Sequence, residues 1–341
     1  MLKTPYCGKF PRLTLQPKAG SRIVSETNPQ TRPVMSVGIS PRTNGDRESL
    51  QRALSVLVQQ DPTITIKTES IDGQTIVSGM GELHLEVICT RLSRDFSIQI
   101  YVGPFRVIYL EALRSRVEAE GRYIRQTGGV GNYGHVKIRL EPNKTGEGFE
   151  FINDIKSGVI PNEYVHPTEQ GIREALQGGV LAGYEVVDVK TTLLDGSYHA
   201  VDSNEMAFRI AGSMACKEAM RKARPLLLEP VMAVEVATPE DYISTIIGDL
   251  NARRGRIEAI ERRADSQVVK ASVPLSEMFG YGTRLRSSTQ GRGNHSIRFA
   301  RYEEAPPHGE WGGDEPGVTA RKPERPRGSS GSAAKLYQEF E

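Results

Sequence analysis

The chain has 341 residues, a formal net charge of +2, 38% hydrophobic and 25% charged residues. That length is too great for one ordinary core, and the charge is too even for a protein whose whole surface engages nucleic acid. No apolar run reaches the roughly 20 residues of a membrane-spanning helix. The start, Met1-Leu2-Lys3-Thr4-Pro5-Tyr6-Cys7, also lacks the apolar stretch of a secretory signal, so a soluble, cytoplasmic protein with no membrane partner is expected.

Residues 1–33 hold six Lys or Arg against the single acid Glu26, with turn formers and little apolar periodicity, and read as a basic disordered leader. In 34–110, Met35, Val37 and Ile39 alternate as a strand. Leu50, Ala53, Leu54, Leu57 and Val58 then form a helical stripe that Asp61-Pro62 ends. Ile64-Thr65-Ile66 and Thr75-Ile76-Val77 predict two strands around Asp72-Gly73. A helix after Gly79-Met80-Gly81 carries Leu83, Leu85, Val87, Ile88 and Leu92 on its apolar side, and Ile98, Ile100 and Val102 make a closing strand. The order β-α-β-β-α-β is that of a ferredoxin-like split βαβ module.

In 111–227 a strand at 117–123 leads into Gln126-Thr127-Gly128-Gly129-Val130-Gly131-Asn132-Tyr133-Gly134-His135. Gly129, Gly131 and Gly134 have the G-x-G-x-x-G spacing, which on a strand-to-helix turn would cradle a pyrophosphate. Here Val136, Ile138 and Leu140 alternate with Lys137 and Arg139, so a strand follows and the dinucleotide site is rejected. A P-loop is excluded as well, because His135-Val136 stands where Lys-Ser/Thr must serve phosphate and Mg²⁺. No cofactor is therefore expected. A further strand is predicted at 147–151. A second loop, including Asn162, Glu163, Tyr164, Val165 and His166, precedes a helix bearing Ile172, Ala175 and Leu176. Asp202-Ser203-Asn204-Glu205 has capping-box spacing, with Asp202 as the cap, before a helix whose apolar face is Ala207, Ile210, Ala211, Met214 and Ala215. An α+β domain results, with its two loops at one end.

The ferredoxin-like order recurs in 228–304. Met232, Val234 and Val236 form a strand, Thr238-Pro239-Glu240-Asp241 supplies a cap and first turn, and Ile243, Ile246, Ile247 and Leu250 form a helical stripe with Gly255 placed as its C-cap. Strands at 257–261 and 268–273, a glycine-interrupted helix at 275–285, and a strand marked by Ile297 and Phe299 complete the module. The fold class is α+β, two ferredoxin-like modules flanking a central α+β domain. Residues 305–341 read as a disordered tail.

Catalytic chemistry finds little support. Cys7, Cys89 and Cys216 are scattered without a C-x-x-C pair and read as small hydrophobes where they fall in helical patterns. His84, His135, His166, His199, His295 and His308 form no metal-ligand motif, and Ser213 and Ser276 lack a nucleophile elbow. Neither a catalytic residue nor a metal site is predicted. Two arginine runs suit RNA phosphates, with a solvated surface as the alternative: Arg253, Arg254, Arg256, Arg262 and Arg263, then Arg284, Arg286, Arg292, Arg298 and Arg301.

Several ordered motifs carry a more specific signal: Gly79-Met80-Gly81-Glu82-Leu83-His84-Leu85, the 128–136 stretch, Phe151-Ile152-Asn153-Asp154, Gly158-Val159-Ile160-Pro161, Leu181-Ala182-Gly183-Tyr184, Gly196-Ser197-Tyr198-His199, Leu228-Glu229-Pro230 and Pro274-Leu275-Ser276-Glu277-Met278-Phe279-Gly280-Tyr281. Together they resemble bacterial-type translation elongation factor G over residues 34–304. The resemblance implies the third, fourth and fifth domains of that family without its GTPase domain. It implies a ribosome-binding, non-enzymatic role in moving tRNA and mRNA, in which 128–134 and 162–168 are tips at the decoding centre. The partners it implies are rRNA, A-site tRNA, mRNA and a separate GTPase component, with the chain itself a monomer. Arg253, Arg254, Arg256, Arg284, Arg286 and Arg292 would face large-subunit RNA. Val130 and Asn132 stand where the family has Arg and Gln, removing a basic donor from the first tip. A truncated or rearranged gene product and a ribosomal-protection relative are the competing expectations.

Overall fold

The computed structural model describes residues 32–68, 74–126, 131–155, 159–263 and 266–306. Most of the leader, nearly all of the tail, the Asp72-Gly73 turn and Gly128, Gly129 and Val130 of the first tip lie outside them. The first module runs β1 (Met35–Pro41), α1 (Arg47–Gln60), β2 (Thr65–Thr68), β3 (Thr75–Gly79), α2 (Glu82–Arg94) and β4 (Ile100–Val107), in the antiparallel sheet order β2-β3-β1-β4. Met35, Val37 and Ile39 face the helices and are buried, as their period of two requires. Two expected core positions of α2 are not in the core. Leu83 and Val87 are 73% and 48% exposed, because the buried stripe is Leu85, Ile88 and Leu92. His84 is structural: its Nδ1 accepts the Met80 amide at 3.2 Å, and its Nε2 lies 3.1 Å from Asp61 at the end of α1.

The last module repeats this topology with β10 (Pro225–Thr238), α5 (Ile243–Ala252), β11 (Arg256–Arg263), β12 (Ser266–Pro274), α6 (Tyr281–Ser288) and β13 (Asn294–Glu304), in the order β11-β12-β10-β13. Its turns differ from expectation. Thr238 still belongs to β10, Glu240–Tyr242 is a 3-10 turn, and α5 begins only at Ile243. At the far end of α5, Arg254 rather than Gly255 takes the left-handed conformation, at φ +59°, while the Gly255 amide returns to the Leu250 carbonyl at 2.8 Å. The helix expected at 275–285 splits into a 3-10 turn, Leu275–Glu277, and α6, since Gly280 sits at φ +65° between them. Burial raises the Glu82 carboxyl while the Gly280 backbone beside it lowers it, so the first module meets the last there. Their buried apolar side chains form one continuous cluster.

The middle module holds β6 (Val117–Arg125), β7 (Asn132–Pro142), β8 (Phe149–Asn153), α3 (Val165–Gly178), β9 (Val189–Ser197) and α4 (Glu205–Lys222), with sheet order β6-β7-β9-β8 and only the β8–β9 pair parallel. Helix α4 packs against both α3 and the sheet, so its buried set is wider than the predicted face. It comprises Ala207, Phe208, Ala211, Gly212, Ala215, Cys216, Ala219 and Met220, while Met214 is 44% exposed. The approach to β6 is possible only because residue 121 has no side chain: a Cβ on Gly121 would lie 2.0 Å from the Ala211 carbonyl oxygen and 2.6 Å from the Ala215 nitrogen. Burial pushes the Cys216 thiol up to about 12 and that of Cys89 to about 11, so both behave as small apolar groups.

The strand β5 (Leu110–Leu113) joins the middle module to the last by pairing antiparallel with the start of β10. Glu111 on it is fully buried, and its carboxylate accepts four backbone amides: Val180 at 2.8 Å, Leu181 at 3.0 Å, Ala182 at 2.8 Å and Tyr184 at 3.2 Å. Its own backbone bonds Glu185 and Val187 at 2.9 Å each. This buried acid was not recognisable in the sequence, because the amides it satisfies lie about 70 residues away.

Two substitutions test these constraints. Gly121→Ala forces a methyl group into backbone and is expected to cost more than about 2 kcal/mol of stability by urea denaturation. Glu111→Gln removes the charge and one acceptor oxygen, and is expected to cost about 2–3 kcal/mol. Hydrogen exchange should then accelerate first at the Val180, Leu181, Ala182 and Tyr184 amides.

Candidate nucleic-acid interface

One end of the middle module is built from three segments. The β6–β7 ladder extends to the Arg125–Asn132 pair, so Asn132, Tyr133 and Gly134 belong to a strand rather than to the loop expected there. Gly134 is buried beneath α4, where a Cβ would lie 2.6 Å from the Ala207 carbonyl oxygen. Only Gly131 of the described glycine-rich loop precedes the ladder. The second segment is also more ordered than predicted: Asn162–Tyr164 is a 3-10 turn, and Val165 and His166 open α3. Pro167 fits in that first turn because the amide it lacks would have no helical partner. Asn162, Glu163 and His166 are exposed, whereas Tyr164 stacks on Phe208 at 4.5 Å with a 4° interplanar angle.

The third segment, residues 198–204, holds the other two together. Asp202 accepts the Gly131 amide through Oδ1 at 2.9 Å, and its carbonyl accepts the Tyr133 amide at 2.7 Å. Ser203 donates its hydroxyl to the Tyr133 carbonyl at 3.0 Å, and its own carbonyl accepts Tyr164 Oη at 3.2 Å. The helix cap is Asn204 rather than Asp202: its Oδ1 accepts the Ala207 amide at 2.8 Å, while its Nδ2 donates to Asn132 at 2.6 Å. The capping-box spacing pointed to the right place but to the wrong acceptor, since Asp202 is engaged across the tip. Sequence reasoning assigned this segment no binding role, although Gly196-Ser197-Tyr198-His199 is a turn-rich motif. It exposes Tyr198, Val201 and, just beyond, Met206 at 46%, 68% and 61%.

The arginine runs divide by environment. Arg253 is 15% exposed, lies 3.0 Å from Asp249, donates to the Glu277 carbonyl and stands over the Tyr281 ring at 5.1 Å. Arg254 pairs with the buried Glu229, a carboxyl that burial pushes up while Arg254 pulls it down. Both guanidinium groups are thus engaged within the module, pinning the end of α5 to the 275–277 turn and to β10. Arg256 is 77% exposed with Glu303 at 3.6 Å, and Arg284 is 69% exposed while paired with Asp249 at 2.7 Å. Arg286 and Arg292 are exposed, the latter over the Tyr242 ring at 5.4 Å. Among the described residues no cluster of three or more His, Cys, Asp or Glu is placed to hold a metal ion.

Three family models match in consecutive order: elongation factor G domain III over residues 31–104, domain IV over 105–224 and the elongation factor G C-terminus over 226–310. The chain belongs to the elongation factor G family. A crystal structure of a protein from Thermus thermophilus is similar to it at 39% identity and a TM-score of 0.62, over 81% of this chain. The chain spans 41% of the length of that protein. In elongation factor G terms the three-segment end described above belongs to domain IV, and the arginine runs belong to the C-terminal domain.

Asn204→Ala removes both the helix cap and the Asn132 contact. It is expected to lower stability by about 1–2 kcal/mol, read as a denaturation midpoint. Asp202→Ala is expected to cost about 1 kcal/mol and to speed exchange of the Gly131 amide, because one bond to a charged acceptor is lost.

Proposed function

We propose that this chain acts in translation as the ribosome-contacting arm of an elongation factor G-type translocase. In this reading the domain IV end enters the A-site region of the decoding centre, against tRNA and mRNA. The C-terminal domain meets ribosomal RNA through Arg256, Arg284, Arg286 and Arg292. The observation that carries the reading is the convergence of Gly131, Asn162–His166 and 198–204 at one end of a domain that matches elongation factor G domain IV. Hydrogen bonds across the three segments keep that end in one shape, which suits insertion into a preformed RNA site. The chain works as a monomer in the cytoplasm and performs no catalytic step through the described residues; GTP hydrolysis falls to a GTPase component outside residues 31–310. No helix among the described residues is long and apolar enough to cross a membrane.

Co-sedimentation with purified ribosomes tests the reading. Association is expected at low salt and should weaken as salt rises, because phosphate contacts release counterions. Changing Arg284, Arg286 and Arg292 together to Ala should weaken association at least about tenfold. Changing Asn162 and His166 to Ala should leave association largely intact but reduce chemical protection of A-site bases. Absence of association even at low salt would overturn the proposal.

A further inference from the structure

The first module has an open sheet face that the reading above does not use. Met35, Val37 and Ile39 point into the core, so Ser36, Gly38 and Ser40 share the opposite face with their partners: Ser78, Ile76 and Lys67 on one side, Arg106 and Tyr101 on the other. None of the four strands contains Asp or Glu. Arg42, Lys67 and Arg106 are exposed, and among the described residues none of them is ion-paired to a carboxylate. Tyr101 is 61% exposed, with the Arg42 guanidinium 5.3 Å from its ring centre. Between these groups Ser36, Gly38, Gln74, Ile76, Gly103, Pro104 and Arg106 line a shallow groove. Its floor is low because Gly38 and Gly103 carry no side chains, and the Gln74 amide lies over Gly38, offering a donor and an acceptor.

The C-terminal domain has the same topology but different chemistry on its sheet. There Lys270 is paired with Glu261 at 2.6 Å, Arg256 with Glu303 at 3.6 Å, and Arg301 also with Glu303. Arg262 and Arg298 on that sheet have no carboxylate partner among the described residues, so the two faces differ in the share of their cations that glutamates neutralise. Apolar surface on the first sheet face is limited to Ile76, Tyr101 and Pro104, too little for the buried centre of a stable protein interface. Separated cations, one exposed ring and a polar groove instead suit a strand whose phosphates and bases alternate.

We propose that this domain III sheet face binds single-stranded RNA. Arg42, Lys67 and Arg106 contact phosphates, Tyr101 stacks on a base, and the chain lies along the Gly38–Gly103 groove. The site is separate from the domain IV end and from the C-terminal arginines.

The test is fluorescence anisotropy of the full chain with a labelled 12-nucleotide single-stranded RNA of mixed sequence, across a salt series. Changing Arg42, Lys67 and Arg106 together to Ala is expected to weaken binding at least about tenfold. It should also reduce the slope of log affinity against log salt by about 2, near 0.7 per lost contact. Tyr101→Ala should weaken binding about five- to tenfold with the slope unchanged. A control triple, Arg52, Arg116 and Lys144 to Ala, removes the same charge elsewhere and should change affinity less than about twofold. The proposal is overturned if the face triple loses no more than the control, if the RNA does not bind, if DNA of the same sequence binds more tightly, or if a polyglutamate peptide binds where RNA does not. Because the probe is free RNA, loss of ribosome association would leave this result readable on its own.

Discussion

A buried carboxylate receiving four backbone amides is the interaction on which the relation of the domains depends. Glu111 lies on a four-residue strand that belongs to the C-terminal domain's sheet, yet its side chain closes the 180–184 turn of domain IV. An isolated charge at full burial would be very costly, and four amide donors are what make it tolerable. The turn in its own right would leave those amides without partners. Each therefore requires the other, and domain IV is joined to its neighbour by satisfied polar groups as well as by covalent linkage. Gly179, at φ +53°, completes the arrangement, since a Cβ there would lie 2.5 Å from the Glu111 carboxylate.

Close backbone packing extends this rigidity to the functional end. Helix α4 touches β6 at Gly121 and β7 at Gly134, and its own Gly212 admits the Thr168 carbonyl of α3. With α4 fixed, the Asn204 cap places the 198–204 segment, and that segment in turn holds Gly131, Tyr133 and Tyr164. The shape of the tip thus follows from helix packing several turns away. This explains how Gly131, Tyr133 and Tyr164 are held in one arrangement.

The two ferredoxin-like domains show that topology does not set surface chemistry. Their strand orders are equivalent and their cores are continuous, but one sheet pairs Lys270, Arg256 and Arg301 with glutamates, while Arg42, Lys67 and Arg106 at the other have no carboxylate partner among the described residues. A fold repeated within one chain therefore presents two electrostatically different faces, and partner choice rests on a few side chains at exposed strand positions.

Much of the architecture was legible in the residues. Alternation in Met35, Val37 and Ile39 and in Val136, Ile138 and Leu140, together with the twin β-α-β-β-α-β order, determined the α+β class, because period and burial face are local properties of the chain. The strand after the glycines was enough to dismiss a phosphate cradle. What local pattern did not reveal was which polar group answers which: Asp202 engages Gly131 instead of capping a helix, Arg253 and Arg254 turn inward while Arg256 and Arg284 stay exposed, and Leu83 and Val87 face outward from an apolar helix. The sequence by itself determined the elements of the two outer modules and their order, but it did not reveal β5 or β9 of the middle region. Only the tertiary structure decided the partners of Glu111, the strand character of Asn132, Tyr133 and Gly134, and the three-segment tip. Hydrogen bonds and burial between residues distant in the chain depend on which surfaces packing brings together, and no local spacing encodes that.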